Sequence, residues 1–250
     1  MAQKIIPHRL FIAAMLLVLF CACNKEQAPD CFKKAGDDIT ITRTLEDFES
    51  IEWRDYLQIE LVSAPEQKIE ITGPKNTLPK ISTEVEEGRL YIENKNTCNV
   101  VRSFNRLITL RIYSPDFPLL INRGQGDVTL IDTLSCEHFQ IENHHSAGLI
   151  SGVLQCDTVK LITHTGPVDI TLKGQSLHTE IFAQGIGYMD MGQLRSNAVL
   201  VNNSSINDVK VYPTQYLFAY ISSRGNIYRK TGTYSINKSI EGSGRVIEFD

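Results

Sequence analysis

The chain has 250 residues, 42% of them hydrophobic, with 25 Lys+Arg against 29 Asp+Glu and a net charge of −4. That length suits one large β domain or two small ones, the apolar share argues against a disordered chain, and the charge gives no basic field for nucleic acid. Beyond residue 30, Val, Ile, Leu, Phe and Tyr alternate with Thr, Ser, Asn and Lys and are broken by Gly and Asn, the pattern of strands and turns rather than helices.

The first thirty residues are a different kind of text. Lys4 and Arg9 precede an unbroken apolar run from Leu10 to Phe20. Those eleven residues span about 16 Å as a helix, too short for a hydrocarbon core of roughly 30 Å. A basic start, a short apolar run and a small residue before the cut predict a secretory signal over residues 1–22. Ala22 precedes Cys23, and Phe20-Cys21-Ala22-Cys23 resembles a bacterial lipobox, which implies lipid attachment at Cys23 and a membrane anchor. Residues 23–30 are polar and read as a tether. Lys25-Glu26 resembles the charged surface-export signals of Bacteroidetes lipoproteins. The expected location is therefore the outer membrane, at the cell surface, with the periplasmic face as the alternative.

Outside the signal and the lipid site, Cys31, Cys98, Cys136 and Cys156 remain, and four cysteines allow three connectivities. Cys31 opens the folded part and Cys98 sits in a polar loop, surface-like settings in an oxidising compartment. A Cys31–Cys98 disulfide is expected; closing that long loop is worth about 4 kcal/mol on the chain-entropy model.

Segment 31–106 reads as irregular, with strands at 48–53, 57–61, 68–72, 81–85 and 89–93 and turns at Gly73-Pro74 and Glu87-Gly88. It is expected to form the first coils and cap of the same domain, a separate small β domain being the alternative. From residue 107 to 250 one pattern recurs: Gly or Asn, any residue, then an apolar residue opening a strand. It appears at Gly126, Gly148, Gly166, Gly187, Asn207, Gly225 and Gly244, in steps of 22, 18, 21, 20, 18 and 19 residues. Leu134, Cys136, Phe139 and Ile141 are answered twenty residues later by Leu154, Cys156, Val159 and Leu161. Each period reads as two short strands joined by tight turns, apolar on one face. One period cannot bury enough to offset its ordering entropy, so the periods must stack as a solenoid. The predicted fold is all-β: a right-handed parallel β-helix of ~20-residue coils with two sheets. Stacking puts Cys136 and Cys156 in one inward column, followed by Gly174 and Ser196, and the expectation is buried thiols rather than a bridge.

The Gly-x-Gly turns at Gly124-Gln125-Gly126, Gly185-Ile186-Gly187 and Gly242-Ser243-Gly244 resemble the auto-transporter adhesin head GIN family. So do Asp30-Cys31-Phe32, the stretch Phe48 to Leu61, Leu78 to Val85, Gly88 to Ile92 and Asn96 to Asn99. The likeness covers residues 30–250 and implies a right-handed β-helix of pectate-lyase-like shape without that group's catalytic residues. It implies an exported Bacteroidetes protein and suggests adhesion.

Candidate chemistry is weighed column by column. Three residues after the turn glycine, Asp169 and Asp190 would stack, a pair that suits Ca²⁺, but Lys210 follows and a surface salt bridge is the expectation. His144, His145 and His164 precede adjacent turn glycines, yet their offsets from Gly148 and Gly166 differ, so they are expected as exposed turn histidines, without a metal and with no acid beside them. The Gly-x-Gly turns lead into strands, which argues against a phosphate cradle. The sequence names no catalytic residue and no cofactor. The expected function is a non-catalytic binding or adhesion scaffold with an unknown glycan or protein ligand. The alternatives are a periplasmic accessory protein and a polysaccharide-active β-helix enzyme, and exposed end coils leave room for an oligomer.

Overall fold

The computed structural model describes residues 35–96 and 106–250. Within them the chain is mostly strand, wound into a β-solenoid of about seven turns. Cys23, Cys31 and Cys98, and with them the expected signal, tether and disulfide, lie outside the described residues.

Strand β10 (Gly148–Thr165) shows how a coil is made. Ile150, Leu154 and Cys156 point inward on its first half, and Val159, Leu161 and Thr163 on its second. Strand side chains alternate with a period of two, so the step of three from Cys156 to Val159 requires a corner at residues 157–158. One hydrogen-bonded strand thus supplies two walls of the same core. The tight turn expected inside each period is a bend, and the sharp reversal falls between coils. There Gly166 has φ 100°, and a Cβ on it would run into the carbonyl oxygen of Ser146 in the coil before.

The same unit repeats in β9 (Val128–His144), β11 (Val168–Ala183), β12 (Met189–Asn203) and β13 (Val209–Ile221), each parallel to its neighbours. The register fixes the core columns. Val128, Ile150, Ile170, Met189, Val209, Ile227 and Val246 follow one another through seven strands. Buried asparagines satisfy their amides within the stack: Asn122 Nδ2 donates to Asn143 Oδ1 at 3.0 Å, and Asn143 Nδ2 donates to the Ile162 carbonyl at 3.2 Å.

The N-terminal part mixes both pairings. Strands read at five places in the sequence are found as β2 (Ser50–Tyr56), β3 (Gln58–Ser63), β4 (Lys68–Pro74), β5 (Ile81–Glu86) and β6 (Arg89–Asn94). Ahead of them lies β1 (Asp38–Thr44), and after them β7 (Thr109–Ser114) and β8 (Leu119–Gln125). β2 runs parallel to β6 and β8, and β3 parallel to β7 and β9, so the first coils join the regular stack without a break. β1, β4 and β5 pair antiparallel, β1 on β4, β4 on β7 and β5 on β6. At the other end, β14 (Ile227–Lys230) and β15 (Ser235–Ile240) both pair with β13, and β16 (Val246–Phe249) pairs with β14.

Two expectations about columns are corrected. Cys136 and Cys156 are directly opposed in the β9–β10 register and joined as a disulfide, with Cα atoms 4.6 Å apart, rather than held as free thiols. The inward column places no spacer between them, and that separation is within reach of a bridge. Their column continues through Ser176 and Ser196, not Gly174, which pairs with Leu154. Ser176, Thr179 and Ser196 close it with mutual hydroxyl hydrogen bonds of 2.6 to 2.8 Å.

Candidate functional site

The outer face of the early coils carries a cluster of charged side chains around one carboxylate. Register carries Arg54 of β2 to Arg123 of β8, and Asn122 of β8 to Asn143 of β9, which sets the outward Arg123 beside the outward His144. Beside this row lies Glu52, whose side chain is only 6% exposed. Three guanidinium groups cover it, Arg123 at 2.9 Å, Arg54 at 3.1 Å and Arg89 at 3.3 Å. Burial works against its charge, but the hydrogen bonds and charges of Arg54 and Arg123 outweigh it and hold the Glu52 carboxyl below its ordinary value. Next to Arg123 a polar cleft of about 400 Å³ opens between Asp55, Tyr56, Asn94 and Gln125.

One coil further on, Gln140, Glu142 and His144 alternate outward along β9 while Phe139, Ile141 and Asn143 point inward. Opposite them in β10 stands His164. The rings of His144 and His164 stack with centroids 4.2 Å apart and planes 19° apart. Glu142 Oε2 lies 3.5 Å from His144 Nε2, and Glu142 Oε1 accepts a hydrogen bond from Gln140 Nε2 at 2.6 Å. Burial, with the charges of His164 and Arg123, holds the His144 imidazole below its ordinary value, against the pull of Glu142. Glu142, His144 and His164 form one group able to offer a metal ion three ligand atoms, all within 4.8 Å of one another.

His144 and His164 are not partners in the strand register, as their unequal offsets suggested, but their rings nevertheless meet. The expectation of separate exposed turn histidines is therefore corrected, as is the statement that no acid stands near them. Counting from the turn glycines hid this, because the turns differ in length between coils. Counting from the strands, Leu161 pairs with Ile141 and Thr163 with Asn143. The register then shifts so that Thr165 is the partner of His144, and His164 falls in that irregularity, where its ring reaches the ring of His144. His145 stays apart: it adopts φ 56° in the turn, and its N–H donates to Thr165 Oγ1.

The same slip undoes the expected Asp169–Asp190 stack. Asp169 pairs with Leu149, whereas Asp190 pairs with Thr171. Asp169 Oδ1 accepts the N–H of Tyr188 at 2.7 Å, as Asp127 Oδ1 accepts that of Leu149 at 2.9 Å, so both aspartates tie one turn to the next. Asp190 does meet Lys210, at 3.3 Å, in the surface salt bridge the sequence suggested.

On the turn edge, Ile186, Tyr188 and Ile206 are about half exposed. The pairing of Ala183 with Asn203 places Ile206 beside Ile186, three residues beyond, and Asn207 Nδ2 donates to the Ile186 carbonyl. These neighbouring turns thus hold an exposed apolar group outward on the edge of the solenoid.

A parallel stack of coils whose start is covered by antiparallel strands defines a capped β-solenoid. Residues 47–232 match the family model described as "Putative auto-transporter adhesin, head GIN domain", and the chain belongs to that family. Among solved structures it resembles a "putative adhesin" from Bacteroides fragilis (TM-score 0.78, 23% identity, 85% of this chain and 97% of that one). It also resembles a "putative lipid binding protein" from Parabacteroides distasonis (TM-score 0.63, 20% identity, 86% of this chain and 98% of that one). A third is a "putative adhesin" from Parabacteroides merdae (TM-score 0.63, 17% identity, 87% of this chain and 98% of that one). These likenesses concern the fold. None of the curated proteins compared matches the chain.

Proposed function

We propose that this protein is an outer-membrane lipoprotein, anchored through Cys23, whose solenoid serves as a non-catalytic adhesion or binding scaffold at the cell surface. The observation that carries the reading is the turn edge. Ile186, Tyr188 and Ile206 stand outward on consecutive coils whose backbones are locked in register, so the contact surface loses little freedom on binding. Membership of an adhesin family supports the same role, and with it a place outside the cell. The Phe20-Cys21-Ala22-Cys23 segment supports the anchor. The ligand class is a glycan or a protein. The strands β15 and β16, each paired on one side only among the described residues, leave an edge through which copies associate.

Protease treatment of intact cells tests the placement. Degradation of the solenoid, while a periplasmic marker survives, is the expected result, and a Cys23→Ala variant leaves the membrane fraction. Survival until the outer membrane is permeabilised overturns the surface reading and puts a periplasmic accessory role in its place.

A further inference from the structure

Glu142, His144 and His164 come from two adjacent coils, just before the turns that lead on to Ile186, and the inference does not rest on the adhesion reading. Their geometry has three features that packing alone does not require. Two imidazoles stack face to face on the outside of the solenoid, where neither fills the core. A carboxylate on the same face turns one oxygen toward an imidazole nitrogen at 3.5 Å rather than toward a lysine or arginine. Its other oxygen is fixed by Gln140, the kind of outer support that orients a ligating carboxylate.

The backbone holds these groups ready. β9 and β10 are parallel and paired through Ile141–Leu161 and Asn143–Thr163, the register then shifts at His164, which lies beside His144, and the Cys136–Cys156 disulfide crosslinks the same two strands. Parallel neighbours lie about 4.8 Å apart. Two nitrogens at ordinary bond lengths on one tetrahedral ion stand roughly 3.4 Å apart, so small side-chain rotations close the site. Arg123, the nearest cation in the row, is engaged with Glu52 at 2.9 Å. Two imidazoles with one carboxylate suit a borderline cation and not Ca²⁺ or Mg²⁺, which take oxygen ligands.

We propose that Glu142, His144 and His164 bind one divalent first-row transition-metal ion, of which Zn²⁺ is the type, as a clasp between the first two long strands of the regular stack, β9 and β10. A fourth position faces solvent and is filled by water. The ion would be held by groups already in place, so binding moves side chains and not strands.

The test uses the full chain in detergent, stripped with a chelator and titrated with Zn²⁺ at neutral pH by calorimetry. Saturation at one ion per chain is expected. His144→Ala and His164→Ala should each weaken binding at least about tenfold, Gln140→Ala less, and His145→Ala not at all. Glu142→Gln keeps the side chain's shape and serves if an alanine variant fails to fold; it too should weaken binding. With Co²⁺ in place of Zn²⁺, visible absorption bands should appear in the parent and His145→Ala proteins and be lost in His144→Ala and His164→Ala. Absence of saturable binding overturns the proposal. So does binding whose affinity is the same in the parent, His144→Ala, His164→Ala and Glu142→Gln proteins.

Discussion

At the residue scale, the most consequential charge is Glu52. Its carboxylate is almost fully covered, and its partners Arg54, Arg89 and Arg123 are 52%, 35% and 40% exposed. A buried charge with all its partners removed is very costly, whereas exposed arginines are screened by water, so the net worth lies between the two cases. Glu52→Gln should lower stability by about 1–3 kcal/mol at neutral pH. The sign of the pH dependence follows from the depressed pKa. The contribution is complete above the ordinary value of 4.5 and is lost as pH falls through the lower folded value. Urea midpoints of the two proteins should therefore differ at neutral pH and converge in acid; a gap that persists unchanged in acid would refute the assignment. The sequence did not single out Glu52, because Arg89 and Arg123 stand 37 and 71 residues away and only the coiling brings them together.

At the element scale, the coil pair β9–β10 joins a disulfide to an outward-facing, half-buried histidine pair, and the two were legible to different degrees. The period of about twenty was plain in the turn glycines and in the repeat of Leu134, Cys136, Phe139 and Ile141. The register was not, because turns between coils vary: the glycine steps of 18 and 21 on either side of Gly166 hide core steps of 20 and 19, Ile150 to Ile170 to Met189. Inward apolar residues report register better than turn glycines, since a buried position is fixed by packing while a turn residue is fixed only by local backbone shape. Cys136 and Cys156 were placed in the right column, yet whether two column-mates bridge depends on a Cα separation that no pattern reveals. Their bond closes a 20-residue separation, worth about 3 kcal/mol on the chain-entropy model. Peptide mapping without reduction should recover the Cys136 and Cys156 peptides linked. The double variant Cys136→Ser/Cys156→Ser should unfold at lower denaturant with stability reduced by about that amount. Two unlinked peptides in the parent protein would overturn both statements.

At the scale of the whole molecule, stability in a solenoid is a sum over coils and their interfaces, so it must vary along the rod. β11 has long parallel partners on both sides, β10 and β12, and its Ile170, Leu172 and Ile181 are completely buried. β15 has six residues, pairs with β13 alone and is exposed along its whole length. The sequence foresees exposed end coils in general but not which residues they leave open. Ile236 and Ile240 of β15 are spaced like core residues, yet each is 41% exposed, because β15 has a strand partner on one side only among the described residues. Amide hydrogen exchange reports the free energy of local opening, which rises from frayed ends to the best-packed interior. Exchange should therefore be slowest in β10 to β12 and fastest in β15 and β16, with β1 and β4 intermediate because antiparallel pairing covers that end. Uniform protection from end to end would mean that the coils open as a single unit. Protection of β15 equal to that of β11 only at high protein concentration would mean that a second copy covers the open edge. In both cases the strand pairing seen in one chain would be an incomplete account of what holds the rod together.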